Sequence, residues 1–308
     1  MQHSVPQWRA ELVLLAVTLI WGGTFAVVKS AVVATSPFLF TGLRFLLALL
    51  LMLMLWRGAF QRWDTPTIRH GLILGTLLAG GFSLQTVGLV HTTASRSAFI
   101  TGTTIVLVPF FQWLGQRRSV QPWEWAGAAA ALLGLWQLSN PRFEVWNIGD
   151  LLTIASTVFW ATYIVVLDSF TRPASGALQH SLRLTLLQFA VTAITGFGLH
   201  TLAVVTGFPS QGQGNIGQSS FQLLFALAYT AILASLIAML LQTHYQRYTT
   251  PVRASLIYAL EPPFASLIAW MVLGEQLSLR ELLGAGLILV GIGLAQLPRI
   301  RHALALER

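Results

Sequence analysis

Cysteine is absent from the 308 residues, which excludes disulfides and thiolate metal sites. Charge is scarce: Asp, Glu, Lys and Arg together make up 9% of the chain, against about 25% in soluble globular proteins. Histidine is thin as well, with seven residues scattered and no pair at helical ligand spacing, so neither a metal nor a cofactor is expected. The segment Gly22-Gly-Thr-Phe-Ala-Val-Val-Lys-Ser30 has the outline of a phosphate loop, but Val28 stands where that loop needs glycine. No Ser/His/Asp grouping is arguable either. The net charge of +8 does not point to nucleic acid, because the basic residues fall between apolar stretches.

What the chain has instead is apolar length. Residues of the apolar and aromatic classes make up 55%, and a bilayer-spanning helix needs about 20 of them in a row. Ten such segments can be read: 11–30, 37–56, 68–89, 95–114, 122–139, 148–167, 178–203, 219–243, 253–273 and 279–297. Little chain remains for a soluble catalytic or sensory domain. The run Ala31-Val-Val-Ala34 resembles a signal-peptide cleavage site, yet the first segment aligns with an internal one around Trp160, which argues that it is retained. With ten spans both termini share a side. That side carries Arg9, Arg57, Arg62, Arg69, Arg117, Arg118, Arg172, Arg247, Arg253, Arg299, Arg301 and Arg308. The other side carries Lys29, Arg96, Arg142 and Arg280. The bias places both termini in the cytoplasm, with the chain multi-pass in a bacterial inner membrane.

The chain is also written twice. Gln85, Thr86, Thr92, Thr93, Arg96, Trp113, Glu124, Gly127, Gly134 and Pro141 recur 157 positions later as Gln242, Thr243, Thr249, Thr250, Arg253, Trp270, Glu281, Gly284, Gly291 and Pro298. Earlier positions repeat at a spacing of 139, as Trp21 with Trp160, Leu43 with Leu182 and Arg44 with Arg183. The loop 206–220 absorbs most of the difference. The expected fold is therefore an all-α membrane protein, ten transmembrane helices in two five-helix repeats, residues 1–143 and 144–308, the second ending in a cytoplasmic tail. Five is odd, so the second repeat enters the membrane from the opposite face. Inverted halves that exchange conformations open one cavity alternately to each side.

Three stretches carry a resemblance. Leu19-Ile-Trp-Gly-Gly-Thr-Phe-Ala-Val-Val-Lys29 is similar to the first-helix signature of the drug/metabolite transporter superfamily. The stretch 254–275, which contains Tyr258-Ala-Leu-Glu-Pro-Pro263, resembles the ninth-helix signature of its EamA-like family, and 283–293 fits the tenth. The resemblance implies a ten-helix inner-membrane carrier, often an exporter of amino acids or other small metabolites. The first repeat departs from the pattern: Pro109 is not opposite Pro262, and Arg118 stands where the second has Glu275.

Glu261 is the sharpest single position. A carboxylate deep in a membrane costs about 2.5–3.5 kcal/mol on insertion scales and tends to face a polar cavity. Pro262 and Pro263 lack amide protons, leave the carbonyls of residues 258 and 259 without partners, and are expected to kink the helix, as is Pro109. Glu261 is read either as a cavity acid that exchanges protons or as a scaffold acid bonded to a neighbouring helix. Its counterpart by spacing is Thr104, beside Thr103. Trp21 and Trp160 offer flat walls with N–H donors. The cavity candidates are thus Trp21, Thr24, Gln85, Thr103, Thr104, Trp160, Tyr163, Tyr258 and Glu261. Gate or charge candidates are Lys29 and Asp168, matched but opposite in sign, and the deep pair Arg44 and Arg183. Gly127 with Gly134, and Gly284 with Gly291, form small faces suited to close helix packing or to contact with a second copy of the chain.

These features point to a secondary carrier, not an enzyme. It exports amino acids or similar small metabolites by alternating access, with a small-molecule substrate and membrane lipid as partners and no nucleic acid. The rival within the class is multidrug efflux of aromatic or cationic compounds. A membrane-embedded lipid enzyme would need a cluster of titratable groups at one interface, for which the sequence offers little.

Overall fold

The computed structural model describes residues 5–61, 63–139, 146–172, 177–207, 220–273 and 278–297. The proposed repeat boundary at 143/144, Pro141, Pro298, Glu275 and the arginines at 62, 142, 299, 301 and 308 lie outside them, as does most of the 206–220 loop. Every regular element among the described residues is helical. In chain order these are α1 (Gln7–Gly22), α2 (Thr24–Ala34), α3 (Pro37–Leu55), α4 (Thr65–His91), α5 (Ala94–Gly102), α6 (Thr104–Gln116), α7 (Pro122–Ser139), α8 (Ile148–Thr171) and α9 (Ala177–Thr206). There follow α10 (Ser220–Ala228), a π-helical segment (Tyr229–Ile237), α11 (Ala238–Tyr245), α12 (Pro251–Tyr258), α13 (Glu261–Leu273) and α14 (Leu279–Ala295), with short 3-10 turns at Arg57–Phe60 and Gln246–Tyr248.

Seven helical stretches among the described residues are long and apolar enough to cross a membrane: Gln7–Val32, Pro37–Leu55, Thr65–His91, Ala94–Gln116, Ile148–Thr171, Leu178–Thr206 and Phe221–Tyr248. The expectation of ten spans is met only in part. The 18 residues of α7 include Glu124, α14 has 17 residues, and α12 is separated from α13 at Ala259–Leu260. The outer surface is apolar: Phe221 is 82% exposed and Val205 79%. Buried polar groups such as Thr153, Thr185, Gln188, Thr230 and Gln246 lie inside. That inside-out distribution is the one lipid demands. The protein is a multi-pass membrane protein.

The helix ends follow local chemistry. Thr93 and Thr250, repeat mates, each cap a helix by accepting the amide of Arg96 or Arg253, both at 3.2 Å. Asn147 with Asp150 opens α8 through a capping box, and Ser278 with Glu281 opens α14 in the same way. Asp64 caps α4, accepting the Thr67 amide and hydroxyl, both at 2.8 Å. Those two bonds hold its carboxyl below the usual carboxylate range. A depressed value stabilises the fold above the unfolded-state pKa, and the contribution is lost as pH falls through the folded value. Asp64→Ala should therefore lower the melting temperature in detergent at pH 7, and the gap from wild type should narrow below about pH 4.

The glycine faces meet each other within one chain, α7 against α14. A Cβ on Gly134 would lie 2.5 Å from the Gly284 carbonyl oxygen, and one on Gly127 would lie 2.5 Å from that of Gly291. A second copy of the chain would have to dock elsewhere. Gly134→Val is expected to destabilise the protein by about 1–3 kcal/mol through overpacking, whereas Gly293→Ala, with open space around its Cβ, should leave the melting temperature unchanged.

Candidate functional site

Two interrupted helices related by the 157-residue spacing border the site. The breaks fall at Thr103, between α5 and α6, and at Ala259–Leu260, between α12 and α13. Thr104 and Glu261, 157 positions apart, each open the second half-helix. The expected kink at Pro262 and Pro263 is thus a break. Both prolines sit in the first turn of α13, where an amide proton has no helical acceptor anyway, and the Phe264 amide closes the turn on Leu260 at 2.9 Å. Pro109 lies inside α6, five residues after its start.

Around these breaks lies a cavity with about 720 Å³ of space free of protein atoms, its open mouth included. Of the residues singled out from the sequence, Trp21, Thr24, Arg44, Gln85, Thr104, Trp160, Tyr258 and Glu261 line it. Thr103 does not, and its hydroxyl donates to the Ile100 carbonyl at 2.6 Å. Tyr163 is buried away from the cavity and donates to Gln188 Oε1 at 2.6 Å.

Most of the lining comes in repeat pairs. Trp21 faces with Trp160, Phe82 with Met239, Gln85 with Gln242, Thr101 with Tyr258, Gly102 with Ala259 and Thr104 with Glu261. Phe82, Thr101, Met239, Gln242 and Ser255 were not among the cavity candidates read from the sequence. Applying the 157-residue spacing to Gln85 yields Gln242, and applying it to Tyr258 yields Thr101. The Trp21 ring lies 5.5 Å from Tyr258, and Phe82 meets Trp160 edge-on at 4.8 Å, so the walls are aromatic.

Arg44 departs from this pairing. Its side chain reaches the cavity from α3 at 4% exposure, while its mate Arg183 donates to the Ala59 carbonyl at 3.0 Å. Arg44 Nε donates to Ser235 Oγ at 2.7 Å, and the guanidinium lies 4.6 Å from the Phe82 ring centre and 5.2 Å from that of Phe45. Among the described residues neither Arg44 nor Glu261 forms an ion pair, and Glu261 makes no hydrogen bond through its carboxylate.

The remaining charge candidates lie elsewhere. Lys29 Nζ donates to the carbonyls of Leu89 at 2.5 Å and Thr92 at 2.8 Å, capping the end of α4. Asp168 pairs with Arg172 at 2.7 Å and accepts from Gln116 Nε2 at 3.1 Å. No cluster of three or more metal-ligating side chains occurs among the described residues.

Comparison with known proteins agrees with this architecture. A transporter of Archaeoglobus fulgidus, itself named uncharacterized, is 33% identical over 94% of this chain and 86% of its own length. The inner membrane transporter YedA of Escherichia coli K12, also named uncharacterized, is 28% identical over 93% of this chain and 90% of its own. An S-adenosylmethionine/S-adenosylhomocysteine transporter of Chlamydia trachomatis is 26% identical over 93% and 89%. One crystal structure superposes with a TM-score of 0.72 at 20% identity, covering 95% of this chain and 98% of the other, which supports the fold. The model of the EamA-like transporter family matches twice, over residues 8–140 and 147–296, and the chain belongs to that family.

Proposed function

We propose that the chain is a secondary carrier that exports amino acids or similar small metabolites across a bacterial inner membrane, through ten helices arranged as two inverted five-helix repeats. The observation that carries this reading is the pair of charges in one aromatic cavity, Arg44 and Glu261, neither of them in an ion pair with a described residue. A guanidinium binds a carboxylate in a bidentate fork, and a carboxylate binds an ammonium, so the pair suits a zwitterion. Both charges depart from the like-with-like pairing of Trp21 with Trp160 and Gln85 with Gln242: Glu261 stands opposite Thr104, and Arg44 lines the cavity without Arg183. The Chlamydia trachomatis relative supports the same class, because S-adenosylmethionine and S-adenosylhomocysteine both end in an α-ammonium and a carboxylate. For multidrug efflux of simple cations, Arg44 is an obstacle.

Alternating access draws support from polar clusters repeated at two ends. Thr92 donates to Asp150 at 2.6 Å, and Thr249, its mate, donates to Glu11 at 3.1 Å, Glu11 and Asp150 being 139 positions apart. In the first cluster Arg96 pairs with Asp150 at 2.5 Å; the mate of Arg96 is Arg253, whose Nε has no acceptor among the described residues. We read the Arg96–Asp150 pair as closing the extracytoplasmic end. The cysteine-free chain allows a direct check. In a Thr104→Cys background, Asp150→Asn should raise labelling by a membrane-impermeant maleimide added outside; unchanged labelling would count against the closing role.

The function itself is tested in proteoliposomes loaded with labelled amino acids. Flux above empty vesicles for at least one amino acid is expected, and no flux for any of them removes this substrate class. Resistance profiling of an overexpressing strain separates export from multidrug efflux, which would protect against aromatic cations.

A further inference from the structure

The π-helical segment Tyr229–Ile237 has no counterpart in the first repeat: residues 72–80, its mates by the 157 spacing, wind as regular α-helix within α4. A π register bonds amides to carbonyls five residues back and is found mostly as a local defect at functional sites. Here the segment grips three features of the cavity region. Ser235 Oγ accepts from Arg44 Nε at 2.7 Å. The Ala234 carbonyl accepts the Trp21 indole N–H at 3.0 Å. The Tyr229 hydroxyl donates to the Ile20 carbonyl at 2.5 Å, beside the break between α1 and α2. The first repeat provides the control. Trp160, the mate of Trp21, packs against regular α4 at Gly81, and its indole N–H finds no acceptor among the described residues. Likewise Arg183, whose position mirrors Arg44, is drawn to the Ala59 carbonyl. Leu78 occupies the mirror position of Ser235 and offers no acceptor.

We propose that the π segment sets a preference for carboxylate-bearing solutes, with Ser235 as the positioning residue that aims Arg44 into the cavity. The proposal rests on the zwitterion reading above and deepens it. Ser235 holds the inner nitrogen of the guanidinium, and the adjacent rings of Phe45 and Phe82 lie against its central carbon. The two terminal nitrogens have no acceptor among the described residues. A planar fork fixed at its base is the donor set a carboxylate requires, and a lysine at the same place would lack both the anchor and the fork.

The test is ligand-induced thermal stabilisation of the full chain in detergent, titrated with L-phenylalanine, phenylacetate and 2-phenylethylamine. Wild type should bind phenylalanine and phenylacetate more tightly than the amine. Ser235→Ala should weaken both carboxylates by about tenfold while leaving the amine unchanged, and Ser235→Thr, which keeps the hydroxyl, should restore them. If Ser235→Ala folds poorly, Arg44→Lys carries the same comparison and should lose the carboxylates alone. Equal loss of all three ligands in Ser235→Ala marks a merely structural residue and overturns the proposal. So does wild-type binding of the amine without phenylacetate, or no binding of any of the three. Phenylacetate binding that depends on Ser235, in a chain that moves no amino acid across vesicles, leaves the proposal standing and removes the export reading.

Discussion

Arg44→Leu should abolish amino-acid flux in proteoliposomes, while Arg183→Leu, at the matched position of the second repeat, should leave it near wild type. The contrast follows from where each side chain ends. Arg44 enters the cavity and Arg183 binds the Ala59 carbonyl. Hydrogen bonds to charged groups contribute about 1.5–3 kcal/mol, roughly a tenfold to hundredfold change in affinity. A bidentate carboxylate lost altogether lies at or beyond the upper end. Arg44→Leu removes a buried charge but leaves the Ser235 hydroxyl without its partner, so its melting temperature should stay close to that of wild type. A loss of flux then reports recognition, which an unchanged melting temperature would certify. Equal effects of the two substitutions would remove Arg44 from the site.

Glu261→Gln carries the second large effect. It keeps the shape and removes the negative charge, so a zwitterion should lose its ammonium partner and its flux should fall by about ten- to a hundredfold. Phenylacetate binding should persist. The same variant decides coupling. One carboxylate faces the cavity, and its mate is Thr104. Wild-type vesicles should accordingly equilibrate an amino acid without concentrating it under an imposed pH gradient. Accumulation driven by such a gradient in wild type, absent in Glu261→Gln with downhill exchange retained, would make Glu261 the coupling acid instead.

The membrane class was legible because lipid imposes it on composition: too little charge for a soluble surface and apolar runs of spanning length. The repeat was legible for a different reason, since Trp21 and Trp160, Gln85 and Gln242, and Thr104 and Glu261 are fixed spacings that need no structure. The same spacings, applied to the candidates Gln85 and Tyr258, would have added Gln242 and Thr101 to the cavity. Other features depended on packing. Arg44 and Arg183 are indistinguishable in sequence, because which one meets the cavity depends on the rotation of each helix against its neighbours. Pro109 drew attention within α6, yet the break falls at Thr103, where Gly102 packs against Leu135. The π segment reads as ordinary apolar helix, Tyr-Thr-Ala-Ile-Leu-Ala-Ser-Leu-Ile, with no local sign of its winding. Lys29 and Asp168 matched in spacing, but each found a partner at a helix end.

The most direct measurement compares the flux of L-phenylalanine with that of phenylacetate and 2-phenylethylamine in proteoliposomes made from the full chain, at one pH and without an imposed gradient. A cavity that holds Arg44 and Glu261 together should carry the zwitterion faster than either single-charge analogue, with the advantage over the amine lost in Arg44→Leu and that over the acid lost in Glu261→Gln. Amine and zwitterion moving at equal rates in wild type would contradict the account.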